Sequence, residues 1–147
     1  LAEYRGALLA DDVGLGKTFV ALAVSRQYDT VHVVAPVTLL PTWRSAAARA
    51  GVTQMQCHSL HAWSRSAPPV LHARGSCLVI IDEAHHLRNA GTRRYRQLAD
   101  AVAACDVLLL SATPVHNRPH DLRALLALFR GQRLDALDDQ QLARMVV

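Results

Sequence analysis

The apolar residues of this chain come in two rhythms. Short stretches at residues 7–10, 31–35, 53–57, 78–81 and 107–110 each read as a strand, and 7–10, 78–81 and 107–110 are unbroken apolar runs. Between them the apolar positions recur every three or four residues. Residues 19–28 and the Ala-rich 40–50 read as helices, and Tyr95, Leu98, Ala99 and Val102 fall on one helical face. Leu122, Leu125, Leu126 and Phe129 repeat that spacing after Pro119, a good first-turn residue. Strands that are apolar throughout must be covered on both faces, so their alternation with helices predicts an α/β fold with a mainly parallel sheet. In such sheets ligands gather at the carboxyl ends of the strands. The stretch from Ser64 to Ser76, with Pro68-Pro69 and several Ser and Arg, reads as a connecting loop after a helical turn. Leu134, Leu137, Leu142 and Met145 space the tail as a surface helix or a linker cut within an element.

The first run ends in Asp11-Asp12-Val13-Gly14-Leu15-Gly16-Lys17-Thr18. A strand, a glycine-bearing turn and a helix are the context of a phosphate-binding loop. Gly14 and Gly16 let the backbone turn tightly and aim its N–H groups at an anion, at the positive end of the helix dipole. The candidate nucleotide cradle is Asp11, Val13, Gly14, Leu15, Gly16, Lys17 and Thr18. Lys17 offers a charge for the β- and γ-phosphates of ATP, and Thr18 a hydroxyl for Mg²⁺. Such loops usually begin with Gly, where this chain has Asp11.

The fourth stretch ends in Asp82-Glu83-Ala84-His85. Adjacent carboxylates at a strand end suit metal-assisted hydrolysis. Mg²⁺ keeps several waters, so Asp82 alone suffices to hold it, largely through water. Glu83 is then the candidate base that orients and deprotonates the attacking water. Either motif alone is weak; together they predict an NTPase site with Lys17, Asp82 and Glu83 as its catalytic set.

Composition narrows the class. With 51% hydrophobic and 19% charged residues among 147, the chain is a folded domain rather than a disordered one. A net charge of +4 is compatible with nucleic acid without establishing it. No apolar run approaches the roughly 18–20 residues that span a bilayer, so no membrane partner is expected. Cys57, Cys77 and Cys105 are odd in number and far apart, as reduced thiols of a cytoplasmic or nuclear protein are. Cys57-His58 with His61, and His85-His86, lack any Cys-x-x-Cys partner, so no zinc is expected.

These motifs, joined in order by Ser111-Ala112-Thr113-Pro114-Val115-His116-Asn117, resemble the N-terminal lobe of Swi/Snf-type, chromatin-remodeller-like ATPases of helicase superfamily two. Asp11 in the first loop position, Pro36-Val37-Thr38-Leu39-Leu40-Pro41-Thr42-Trp43 and the asparagine-containing third element carry that likeness. Val13 and His116 depart from the family's common Met and Gln. The resemblance implies a P-loop NTPase with a RecA-like three-layer αβα sandwich over residues 1–131. Residues 132–147 would begin a linker or helical insertion toward a second RecA-like lobe.

The resemblance also implies roles. His85, Ser111 and Thr113 would couple nucleotide state to lobe movement. Pro36, Thr38, Leu39 and Trp43 would lie in the element that meets nucleic acid, although a residue of Trp43's type is more often core than a base-stacking platform. The arginines at 88, 93, 94 and 96 form either a DNA-facing patch or a soluble helix face. A parent protein of this kind is an ATP-driven translocase on double-stranded DNA. Alternatives are an RNA-acting helicase of the same superfamily and a non-catalytic interaction module. A chain that starts at Leu1 and lacks the second lobe is expected to be a fragment, to bind Mg-ATP weakly and to turn it over hardly at all.

Overall fold

The five stretches pair into one sheet in the computed structural model, which describes residues 5–10, 16–65, 71, 75–112, 119–130 and 146. Strands β1 (Gly6–Ala10), β2 (Thr30–Ala35), β3 (Met55–Ser59), β4 (Cys77–Ile81) and β5 (Asp106–Ser111) lie in the order β1-β5-β4-β2-β3, and every pairing is parallel. All five residues of β4 are buried, which explains its unbroken apolar run.

Chain direction decides where the helices go. From β1 through β2 to β3 the chain advances across the sheet, and from β3 through β4 to β5 it returns. Right-handed crossovers then place the two sets of helices on opposite faces. On one face α1 (Lys17–Ser25) and α2 (Leu40–Ala50) bury Ala21, Leu22, Leu40 and Trp43 against Val33, Ile80 and Leu108. On the other, α3 (Leu60–Arg65), α4 (Arg93–Val102) and α5 (Pro119–Arg130) bury Trp63, Leu98 and Leu125 against Val79, Ile81 and Leu109. Successive β4 residues thus serve opposite cores, as the pleat requires. The expected parallel sheet with helices on both sides is the observed one.

Local chemistry sets the ends of the elements. Gly51 closes α2 with φ 69°, its N–H donating to the carbonyls of Ala47 and Ala48. Thr92 caps α4, its hydroxyl accepting from the Tyr95 N–H. Several boundaries differ by one to three residues from those the sequence predicts, two of them for a visible reason. The first helix stops at Ser25 rather than Tyr28, whose hydroxyl instead donates to Asp106 at 2.8 Å. The third strand starts two residues late, because its pairing with β2 begins at Val31 opposite Met55. Of residues 132–147 only Val146 is described; it forms a lone bridge to Leu8.

Residues of β2 and β3 also bring together two histidines the sequence keeps 26 apart. His32 Nδ1 lies 3.0 Å from His58 Nε2, and the His58 ring packs on Trp63. Burial pushes the pKa of both down, and the neighbouring His58 lowers that of His32 further. A histidine with a lowered folded-state pKa binds fewer protons than in the unfolded chain, so stability falls as pH drops below its ordinary value near 6.5. The melting temperature is expected to fall between pH 7 and pH 5.5, and His32→Phe should make that fall shallower. An equal slope in the variant would assign the loss to other groups.

Candidate functional site

A parallel sheet brings the carboxyl ends of its strands to one edge. There Ala10 of β1 is level with Ser111 of β5, and Ile81 of β4 is level with Val34 of β2. Neighbouring strands lie about 4.8 Å apart, so the ends of β1 and β4, with β5 between them, stand roughly 10 Å apart. The two motifs, 66 residues apart in sequence from Gly16 to Asp82, are thereby brought to one edge.

The chain leads into α1 through Gly16, whose φ of 83° is in the left-handed region that a side chain resists. Its carbonyl accepts from the N–H groups of Phe19 and Val20 at 2.8 and 3.2 Å. Gly16 has no side chain with which to cap α1, and among the described residues no acidic side chain stands in its first turn, which begins with Lys17 and Thr18, both half-buried. The positive end of a helix dipole favours an anion.

Across β5, Asp82 follows the last residue of β4, and its N–H donates to Val34 O at 2.9 Å. Its carboxylate accepts two hydrogen bonds, from Trp43 Nε1 to Oδ2 at 2.8 Å and from Glu83 N to Oδ1 at 2.9 Å. Glu83 has φ 55° and ψ 45°, a left-handed conformation costing a non-glycine residue about 1–3 kcal/mol. That bend turns the chain out of the strand into a 3-10 turn, Ala84–Leu87, and sets the Glu83 side chain beside His85. His85 Nδ1 lies 2.9 Å from Glu83 Oε2, and both side chains keep about 30% of their surface in solvent. The turn thus holds a partly exposed carboxylate on a left-handed backbone, next to an imidazole.

The remaining predicted residues divide by location. Ser111 ends β5 and is 1% exposed. Pro36 precedes a 3-10 turn, Val37–Leu39, in which Leu39 N donates to Pro36 O. Thr38 is exposed there, whereas Pro36 and Leu39 are half-buried. Trp43 is 1% exposed, so its ring has no face open to a base, and packing is the role its position supports. Asp11, Val13, Gly14, Leu15 and Thr113 lie outside the described residues, as does the segment from Pro114 to Asn117. Among the described residues no group of three metal-ligating side chains forms, and no helix is long and apolar enough to cross a membrane.

The residue that the motifs did not assign is Trp43 as a partner of Asp82. No sequence signal could have found it, because 39 residues and two elements separate the pair.

An all-parallel, three-layer α/β lobe with polar residues gathered at the carboxyl strand ends has the RecA-like architecture. Residues 42–142 match the SNF2-related domain, and the chain belongs to that family. An uncharacterized ATP-dependent helicase of Bacillus subtilis is 28% identical over 145 residues, covering 84% of this chain and 26% of the relative. The SWI/SNF-related matrix-associated actin-dependent regulator of chromatin subfamily A-like protein 1 of Xenopus laevis is 32% identical over 157 residues, covering 84% and 15%. The chain therefore spans under a third of the length of these relatives. The SWI2/SNF2 ATPase core of Sulfolobus solfataricus, solved in complex with dsDNA, superposes with a TM-score of 0.71 at 15% identity, over 99% of this chain and 42% of that one.

Proposed function

We propose that the chain is the ATP-binding lobe of an ATP-dependent translocase on double-stranded DNA. One observation carries the reading: helix α1, beginning Lys17-Thr18, and the Asp82-Glu83 turn emerge from the same edge of the sheet, one strand apart. Hard oxygen donors, the Thr18 hydroxyl and the Asp82 carboxylate, fit Mg²⁺ held largely through water. When bound, Mg²⁺ neutralises charge on the β- and γ-phosphates. Lys17 binds those phosphates, and the loop 11–16 supplies backbone N–H groups. Glu83 orients the attacking water and takes its proton, with His85 holding the carboxylate in place.

The remainder of the proposal concerns the parent protein. His85, Ser111 and Thr113 would couple hydrolysis to lobe movement, and a second RecA-like lobe would supply arginines to the γ-phosphate, worth about 10³–10⁵ in rate where such residues have been studied. The turn at 36–39 would meet the nucleic-acid backbone through amides and the exposed Thr38 hydroxyl, without reading sequence. Arg93, Arg94 and Arg96 open α4, where cations oppose the helix dipole by about 0.3–1 kcal/mol each at low salt. A phosphate backbone nearby would offset that cost. The SNF2-family match favours duplex DNA, as does the DNA-bound state of the superposed archaeal core.

The test compares nucleic acids. ATP hydrolysis by the intact parent protein should rise with duplex DNA and much less with RNA of equal length. Equal or greater stimulation by RNA would favour the RNA-acting reading, and no stimulation by either would favour an interaction module.

A further inference from the structure

Trp43 sits in the first turn of α2 with 1% of its surface exposed, and packing accounts for its ring but not for its nitrogen. An indole has one donor and no acceptor. Here that donor goes to Asp82 Oδ2 at 2.8 Å, while Oδ1 takes the Glu83 N–H at 2.9 Å. One donor comes from a helix on the sheet face and the other from the turn that follows β4. A carboxylate gripped at both oxygens cannot rotate about its Cβ–Cγ bond without losing one of these bonds. Each oxygen still has lone-pair capacity left for a metal-bound water.

We infer that Trp43 is a positioning residue for Mg²⁺: its indole N–H fixes the Asp82 carboxylate in the orientation that receives the metal's water shell. The inference rests on the nucleotide-site reading above. Groups that orient a metal's ligands in this way typically change metal affinity about 10–100-fold when removed. The bond also ties the start of α2 to the end of β4, so Asp82 follows any shift of α2.

Trp43→Phe removes the donor and keeps most of the apolar body that packs among Leu40, Ala46 and Ala47. In the intact parent protein, the Mg²⁺ concentration needed for half-maximal ADP binding is expected to rise about tenfold or more. ADP binding in EDTA should stay near that of the unaltered protein, whereas the melting temperature falls modestly because the smaller ring leaves core volume unfilled. A residue that only fills the core would lower the melting temperature and leave the metal requirement alone.

A second measurement does not depend on that variant folding. With Trp63→Phe, Trp43 becomes the one tryptophan of this lobe, and its emission in the 147-residue chain should change on adding ADP with Mg²⁺ but not ADP with EDTA. An emission indifferent to the metal, or a metal requirement unmoved by Trp43→Phe, overturns the inference alone. Failure of the unaltered parent protein to bind ADP at all overturns the nucleotide-site reading and this inference with it.

Discussion

Glu83→Gln in the intact parent protein is expected to cut ATP turnover by about 10²–10⁴-fold while nucleotide binding survives. The change is isosteric and leaves the left-handed backbone at this position no worse off, since both side chains are unbranched at Cβ. It removes the one property a general base needs, a carboxylate able to take a proton. The contact with His85 Nδ1 at 2.9 Å persists in geometry, with an amide oxygen in place of a carboxylate oxygen. Melting temperature should therefore hardly move. A φ of 55° is disfavoured for Glu, and Gly or Asn would take this turn more easily. Steady-state hydrolysis and equilibrium binding of ATP, measured side by side, separate the two effects. Turnover equal to that of the unaltered protein would move the general base elsewhere.

How much of this was legible beforehand follows from the range over which each feature is decided. The strands were readable because apolar runs such as Leu78–Ile81 need no partner to be recognised, and their full burial forces helices onto both faces. The order β1-β5-β4-β2-β3 was not readable, since it depends on which edges pair. Lys17 and the Asp82-Glu83 pair could be picked out because each motif is local, and the parallel sheet then guaranteed that their strands end on one side. What the sequence hid were contacts between distant residues. Trp43 with Asp82 is one, and His32 with His58 is another. Cys77 and Cys105 are a third: far apart in the chain, Cys77 opens β4 and Cys105 immediately precedes β5, and they touch in the core as free thiols. Burial, chiefly, pushes the Cys77 thiol up to about 12, which keeps it protonated and unreactive. Helix ends were misplaced for a related reason. Tyr28 fits the apolar face of the first helix, yet its hydroxyl is claimed by Asp106 at the start of β5.

The second large effect concerns Lys17. A lysine as the first residue of a helix sits at the positive end of the dipole, with no acid in the first turn to balance it. A charge-assisted hydrogen bond to a phosphate is worth about 1.5–3 kcal/mol, so Lys17→Ala is expected to weaken nucleotide binding about 10- to 100-fold. Loss of stability in the variant, with binding unchanged, would make Lys17 an ordinary structural residue.

Titration of Mg-ATP into the 147-residue chain, with and without Lys17→Ala, tests the site most directly. The account predicts weak but saturable binding that needs Mg²⁺ and is largely lost in the variant. No saturable binding at millimolar nucleotide, or binding that is the same in both proteins, would contradict it.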